Sequence, residues 1–431
     1  MNTRISSPIT WVKIGIFVSI LPFLWLFTQS DRLGGIQIAG GNIIGFLGAV
    51  LLWWQFVLGI RFISSYITRD YVSVISFHKL LGKYGGGLAL LHPVWQMINY
   101  SEGISFLYSL NLIGEFEEHV TYGRLAFFAL IIVWVTSALL RSKISFRPWM
   151  YIHYVTYPMM ALVFLHANDI GTFLNAFPLL QVYWFGFAGS FFLMAFYRAV
   201  SYINIGKCTY RLIEKKTVGA KNVVYTFEAV GQILTPRVGQ FVFLKSSMLF
   251  GEAHPFTVMQ SAGEGRFLKL GIKSVGLFTK KLSTLSIGST VYLDGPYGVF
   301  TRQGQNSSPK VLIAGGIGIT PFIGLIEKYG NQKTYLFYAN KDYSDALFRT
   351  TLQSSLKERF IEAVSQESPS DATIVKGRFT VDIFKDNLTP AVLSEAEFFV
   401  CGSPHFMRGM DTILSALGIT KEKIHTEEFG L

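Results

Sequence analysis

Six stretches in the first part of the chain, near 11–28, 42–60, 74–99, 123–140, 148–168 and 176–198, are apolar for long enough to cross the hydrocarbon of a bilayer. No other feature constrains the fold as strongly. A backbone in lipid must satisfy its own hydrogen bonds, and an unbroken apolar run does so as a helix. The first stretch, flanked by Arg4 and Lys13, has the look of a secretory signal, but no small-x-small cleavage site follows it, and it reads as a retained helix. Beyond the sixth stretch the sequence alternates apolar, charged and Gly-rich segments like a soluble α/β protein, with room for two globular domains.

Charge sets the direction of the spans. Arg61 and Arg69 lie between spans two and three, Arg141, Lys143 and Arg147 between four and five, and Arg198 and Lys207 after six. The opposite loops carry Asp31, Glu102, Glu115, Glu117, Glu118 and Asp169, with Arg32 and Arg124 as the basic exceptions. The positive-inside rule therefore puts both termini and the soluble half in the cytosol of a multi-pass protein of the plasma or cell inner membrane. The net charge of +11 belongs largely to these flanks, and no aromatic–basic motif accompanies it, which excludes a nucleic-acid partner. Two cysteines, Cys208 and Cys401, cannot make a Cys₄ iron–sulfur site or a disulfide framework. No EF-hand loop occurs.

Span three contains His78 and His92; span five contains His153 and His166. An ionisable residue within a membrane helix is costly and marks function by default. The separations are 14 and 13 residues, about 21 Å and about 19.5 Å along a helix. One span intervenes, so spans three and five run in the same direction. His78 then lies level with His153 near the cytosol, and His92 with His166 near the outside. Two imidazoles at each level suit bis-histidine haem ligation, whereas zinc would gather its ligands at one depth. Fourteen residues bring His92 to within ~40° of the face carrying His78. Gly85 lies midway on that face and either clears space for a flat macrocycle or, with Gly82, Gly86 and Gly87, lets helices pack closely. Thirteen residues leave His166 ~140° out of phase with His153 in a straight helix. Pro158, between them, is placed to kink or rewind the span.

The pattern His78-x13-His92, followed by Pro93, together with His153-x12-His166 resembles the two-haem signature of the ferric reductase and NADPH oxidase superfamily, and the resemblance covers nearly the whole chain. It implies a bacterial NADPH oxidase-like flavocytochrome b with a ferredoxin–NADP reductase-type dehydrogenase half. Its two b-type haems would be ligated by His78 with His153 (inner) and His92 with His166 (outer). Lys79, Lys83, Arg61 and Arg141 are then either propionate partners or positive residues snorkelling to the cytosolic face.

From about residue 206, short alternating segments such as Val223–Phe227, Phe241–Leu244 and Phe267–Leu270 suggest a small antiparallel barrel. Within it His254-Pro255-Phe256-Thr257, then Lys273-Ser274-Val275-Gly276-Leu277-Phe278-Thr279, resemble the flavin-binding part of ferredoxin–NADP reductase-like domains. Carried over, Phe256 packs on the isoalloxazine of FAD and Thr257 bonds its reactive edge. Gly276 and Thr279 approach the pyrophosphate, since backbone N–H groups near Gly can cradle phosphate. His254 stands where many soluble relatives have Arg, which favours the oxidase-like branch.

Val311–Ala314 reads as a buried strand, and Gly315-Gly316-Ile317-Gly318-Ile319-Thr320-Pro321 as the start of a helix with Thr320 as N-cap and Pro321 in the first turn. Glycine backbone and helix N-terminus suit a pyrophosphate. The strand Tyr335–Tyr338 ends before Lys341, which either meets a 2′-phosphate, favouring NADPH over NADH, or stays an exposed loop lysine. Cys401-Gly402-Ser403-Pro404 resembles the family's Cys-Gly-x-Pro segment, implying Cys401 beside the nicotinamide; a buried, inert cysteine is the other reading. Phe429 matches the terminal aromatic that covers the flavin in relatives, although two residues follow it here. His119, His405 and His425 are expected to be solvated or locally bonded.

The expected fold is thus a multi-domain membrane protein: a six-helix transmembrane haem bundle (1–205), an antiparallel β-barrel FAD domain (206–305) and an α/β NAD(P)-binding domain (306–431). The implied activity passes electrons from cytosolic NADPH or NADH through FAD and two haems to the opposite side. A flavin is needed because hydride carries two electrons and haem iron accepts one. Molecular oxygen, giving superoxide, is the favoured acceptor. A ferric chelate is the alternative, and the acidic loop Glu115-Glu117-Glu118 could draw cations. A transporter or channel with a nucleotide-sensing domain is a reading of another class, because intramembrane histidines also relay protons.

Overall fold

The computed structural model describes residues 8–68, 70–170, 172–204, 206–219, 221–246, 252–330, 333–367 and 374–428; Arg4, Arg69 and Phe429 lie outside them. The chain divides into two compact units, Met1–Ser201 and Tyr202–Leu431.

The first unit is helical: α1 (Pro8–Leu24), α2 (Ile36–Gly59), α3 (Arg61–Ile67), α4 (Tyr71–Ala89), α5 (Leu91–Asn99), α6 (Glu115–Trp134), α7 (Phe146–Tyr154), α8 (Thr156–Ile170), α9 (Thr172–Ala176) and α10 (Pro178–Tyr202). A 3₁₀ stretch, Trp25–Leu33, extends α1 until Gly34 and Gly35, both at positive φ, turn the chain into α2. Among the described residues four helical runs are long and apolar enough to cross a membrane: Ile9–Arg32, Ile36–Gly59, Glu115–Leu139 and Pro178–Tyr202. Their shared core is aromatic, with Phe46 and Phe164 packed on Trp184 and Phe56 on Phe191.

The two apolar runs that carry histidines are each broken in two. α4 gives way to α5 at Leu90, three residues before Pro93, and α7 to α8 at Val155, three residues before Pro158. Each proline lacks the N–H that would reach the carbonyl four residues back, and its ring crowds that carbonyl. Both breaks fall between the histidines of their run. At Val155 the N–H reaches the Ile152 carbonyl, 3.0 Å away, across three residues rather than four. Such a turn advances ~120° per residue instead of ~100°. Overwinding therefore rotates His166 toward the face of His153, the direction a 13-residue spacing requires.

In the second unit β1 (Cys208–Val218), β2 (Asn222–Ala229), β3 (Phe241–Lys245), β4 (His254–Ala262), β5 (Phe267–Lys273) and β6 (Thr290–Tyr297) close into an antiparallel barrel of order β1-β2-β5-β4-β3-β6. Its interior is filled by alternate residues such as Tyr210, Leu212, Phe227 and Leu268, all fully buried. The short helix α11 (Leu277–Ser283) joins β5 to β6. Then β7 (Lys310–Gly315), β8 (Thr334–Asn340), β9 (Phe360–Val364), β10 (Val375–Lys376), β11 (Glu397–Gly402) and β12 (Ile424–Glu428) form a parallel sheet of order β10-β9-β8-β7-β11-β12, with α12 (Thr320–Tyr329) after β7 and α13 (Arg349–Leu356) after β8. The central strand β7 is apolar from Val311 to Ala314 because both its faces are covered: Leu312 and Ala314 enter one core, Val311 and Ile313 the other. Strand order reverses between β7 and β11, the switch point at whose carboxyl ends sheets of this kind bind their ligands.

Candidate functional site

The four membrane histidines meet as two pairs. His78 and His153 face each other with ring centroids 6.3 Å apart and planes at 66°, and His92 and His166 do so at 6.3 Å and 71°. A ring nitrogen stands ~1.15 Å from its centroid and a metal–imidazole bond is ~2.0 Å, so two imidazoles in line on one metal have centroids about 6.3 Å apart. The residues present fit a bis-imidazole group at each level. Among the described residues no cluster of three or more His, Cys, Asp and Glu is placed to hold a bare metal ion.

An imidazole presents one nitrogen to a metal when its other nitrogen carries the proton, and an acceptor on that other nitrogen fixes both tautomer and orientation. His92 Nδ1 lies 2.8 Å from the Gly41 carbonyl and His166 Nδ1 2.9 Å from that of His119. His153 Nδ1 is 3.3 Å from Ser137 Oγ, which accepts from Trp149 Nε1 at 3.1 Å. Ser137 owes its position to a widened π-turn, Val135–Leu139, at the end of α6. His78 bonds to the Gln55 backbone and lies 3.0 Å from the Gln55 side-chain amide.

Glycines on facing helices make room for these rings. A Cβ on Gly45 would stand 2.7 Å from His92 Nδ1, and one on Gly123 2.4 Å from His166 Nδ1. Of the two readings open for the glycines of α4, close helix packing is what occurs: Gly85 meets Leu51, Gly82 meets Gln55, and Gly86 and Gly87 meet Trp134. A signal for the true spacers was present in the small-xxx-small run Gly41, Gly45, Ala49 on α2. The acidic opening of α6 is engaged in local contacts. Glu117 lies 3.8 Å from Arg124, the Tyr122 hydroxyl donates to Glu118, and His119 Nδ1 meets the Glu115 carbonyl at 2.7 Å. His425 is likewise locally bonded, 2.7 Å from Glu397.

On the barrel, β4 carries His254 and Phe256 on one face and Thr257 on the other. Phe278, from the first turn of α11, lies nearly parallel to both rings, 4.0 Å from His254 and 6.1 Å from Phe256. This aromatic shelf fits a flavin. Pro255 and Thr257 sit opposite Phe243 and Phe241 of β3, and Thr257 is buried. The hydroxyl of Thr279 accepts from the N–H groups of Val275 and Gly276, both at 3.0 Å, so Gly276 and Thr279, both expected at the pyrophosphate, are engaged with each other locally. Lys273 is also engaged, 4.0 Å from the Asp345 carboxylate, while Asn222 donates to the Asp345 carbonyl at 3.0 Å.

At the switch point between β7 and β11 every glycine has a steric reason. A Cβ on Gly318 would fall 2.2 Å from the Cys401 carbonyl oxygen, while Gly315 and Gly402 leave space for the Phe406 ring. Gly316 turns the chain at φ +57°. Thr320 departs from its expected role. The 3₁₀ turn Gly316–Ile319 runs straight into α12, so Ile319 has helical φ and ψ at the cap position, and the Thr320 hydroxyl donates back to the Ile317 carbonyl at 3.0 Å. Pro321 remains in the first turn, and Ser403 caps the helix that begins at Pro404. These two helix starts beside glycine backbone fit a dinucleotide pyrophosphate. Lys341 is exposed just past β8. Cys401 is fully buried, and that burial, reinforced by the nearby Glu427 carboxylate, raises its thiol well above the ordinary thiol range.

Comparison with known proteins gives three domain matches: residues 44–164 to the ferric reductase like transmembrane component, 226–318 to an FAD-binding domain, and 312–412 to the oxidoreductase NAD-binding domain. NADH-cytochrome b5 reductase 1 of Emericella nidulans is 28% identical over 235 residues, 49% of this chain and 74% of that protein. The flavohemoprotein of Bacillus subtilis is 25% identical over 176 residues, 38% of this chain and 43% of that protein. Among solved structures, the FAD/NAD-binding domain of nitric oxide dioxygenase from Vibrio cholerae is 22% identical and covers 52% of this chain and 99% of that one, with a TM-score of 0.46.

Proposed function

We propose that this integral membrane oxidoreductase, which joins a ferric reductase like component to FAD- and NAD-binding domains as ferric reductase and NADPH oxidase-like flavocytochromes do, carries electrons from cytosolic NAD(P)H to molecular oxygen across the bilayer. Six crossings hold both termini in the cytosol, and the chain divides functionally at 205 and 305. The reading rests on the two imidazole pairs, each at the 6.3 Å separation that axial ligation requires. His78 and His153 would hold the inner haem b, and His92 and His166 the outer. When bound, FAD accepts the hydride pair of electrons and haem iron passes them singly.

The remaining steps belong to the chain's own groups. Phe256, Phe278 and His254 seat the isoalloxazine, with Pro255 fixing the strand and Thr257 at the reactive edge; Lys273, Gly276 and Thr279 shape the turn that meets the FAD phosphates. Gly315, Gly316, Gly318, Thr320 and Pro321, with Gly402 and Pro404, hold the dinucleotide pyrophosphate, and Lys341 selects the 2′-phosphate of NADPH. Cys401 backs the nicotinamide and Phe429 shields the flavin. With His92 and His166 both engaged on the haem they would hold, that haem would offer O₂ no ligand site, and O₂ would take up one electron and leave as superoxide.

Purification in detergent, quantitation of haem and flavin, and comparison of NADPH with NADH would test this reading. Reduction of a reporter dye that superoxide dismutase abolishes supports the oxygen branch. A ferric chelate is the second reading, favoured by the family description matched at 44–164. Brisk, dismutase-insensitive reduction of ferric chelate without oxygen would select it, and absence of any paired-imidazole haem spectrum would sink both.

A further inference from the structure

The two imidazole pairs differ in what lies behind them. His92 and His166 lean on backbone carbonyls at 2.8 and 2.9 Å. His153 instead has the longer 3.3 Å contact to the Ser137 hydroxyl. The Trp149 indole is stacked on the His153 ring at 5.0 Å and 25°, and its N–H bonds to the same hydroxyl. On Trp149 rests the Arg141 guanidinium, its Cζ 4.4 Å from the ring centroid and its Nη1 anchored to the Ile144 carbonyl at 3.1 Å. Arginine, indole and imidazole therefore form a short column ending at an axial ligand. Among the described ring contacts, His92 and His166 have no counterpart to it.

We propose that the Arg141–Trp149–Ser137 column is a positioning and tuning element that raises the reduction potential of the haem that His78 and His153 would hold. The inference rests on the haem reading above. Reduction adds one negative charge at iron, and a cation on the order of 10 Å away, at an effective dielectric of ~20, favours the reduced form by roughly tenfold. Arg141 holds such a charge against an indole face, a placement that cation–π attraction stabilises. The Nδ1 contact acts in the same direction. A strong acceptor on Nδ1–H makes imidazole a better donor and favours ferric iron, and a 3.3 Å hydroxyl already taken by Trp149 does so less than a carbonyl at 2.8 Å. The column thus makes the inner level the readier acceptor of a flavin electron. It also gives Arg141, which the sequence offered as a propionate partner or a snorkelling cation, a specific contact.

The test is a spectroelectrochemical titration of the full-length, haem-loaded protein in detergent, with haem content measured first. In Arg141→Gln one of the two low-spin components shifts to lower potential by about tenfold in its ferric-to-ferrous ratio, ~59 mV for one electron, and the other stays in place. Arg141→Lys keeps the charge and recovers at least half of that shift. Lys143→Gln removes the same charge from the same loop without touching the column and moves neither component more than twofold. If Arg141→Gln fails to load haem, Trp149→Phe carries the test: its ring still covers His153, its lost N–H frees Ser137, and the low-spin electron paramagnetic resonance signal of one haem alone changes. The proposal is overturned if both components stay put, if both move equally, or if Lys143→Gln matches Arg141→Gln. Wild-type protein without paired-imidazole haem refutes the underlying reading instead.

Discussion

Gly123 on α6 and His166 on α8 touch so closely that a single methyl group would fill the space between them: a Cβ on Gly123 would stand 2.4 Å from Nδ1 of the imidazole. Gly123→Ala is therefore expected to displace His166 from its partner His92 and to halve the haem bound per chain. Gly186→Ala, with nothing within 4 Å of the new Cβ, leaves haem content at the wild-type value. Pyridine haemochrome assays on the two purified variants check the contrast, and equal haem in both would refute it.

His92→Ala removes a ligand outright. Reduction of a far-side acceptor falls by more than the ~100-fold that loss of an outer-shell partner can cost, while NAD(P)H-dependent reduction of a soluble dye by the flavin persists. Paired assays on sealed proteoliposomes decide this. Full far-side activity in the variant would show that the outer pair carries no electrons.

Cys401 is held protonated by burial and by Glu427, which predicts both chemistry and pH dependence. Maleimide labels it only after denaturation, whatever the labelling at Cys208. A thiol whose folded pKa lies above its unfolded value of ~8.5 contributes stability that is complete below that pH and is lost as pH rises above it. Thermal unfolding followed by flavin release should weaken above pH 9 in the wild type and less so in Cys401→Ala. Parallel alkaline profiles would contradict the burial argument.

Lys341 stands exposed at the carboxyl end of β8. Lys341→Ala is expected to raise KM for NADPH about tenfold, equivalent to ~1.4 kcal/mol, with kcat little changed and NADH kinetics unaffected. Equal effects on both nucleotides would remove its assigned role.

Glu362, only 3% exposed, is clasped by Arg349 through two short contacts from Nε and Nη2. Arg349→Met strands a buried carboxylate and should cost ~3–5 kcal/mol. The double variant with Glu362→Leu should recover most of that loss, a pattern visible in denaturant titrations of the NAD-binding half. A double variant no more stable than the single would speak against the buried-charge explanation.

The sequence was most legible where one physical rule dominates. Apolar length marked the helical unit, period-two alternation marked the barrel, and the continuous run Val311–Ala314 marked a strand covered on both faces. The level pairing of His78 with His153 and His92 with His166 followed from helix rise alone. Three-dimensional compensation was harder to read. Pro158 announced a break without its sense, which only the Val155 to Ile152 bond reveals. Thr320 looked like a cap because its neighbours Gly318 and Pro321 fit one, yet the 3₁₀ turn before it continues the helix. Gln55, Ser137 and Trp149 escaped notice because a glutamine, a serine and a tryptophan in apolar surroundings carry no periodic signature. Their value appears only across helices.

The acceptors behind His92 and His166 are main-chain oxygens, of Gly41 and of His119. No codon change at either position deletes a carbonyl, so the aim of the outer imidazoles is insulated from sequence drift as long as α2 and α6 keep their course. At the inner level His78 meets both the backbone and the side chain of Gln55, whereas His153 leans on a side chain alone, Ser137, that one nucleotide can rewrite. Evolution has a dial at one end of this wire and a fixed terminal at the other.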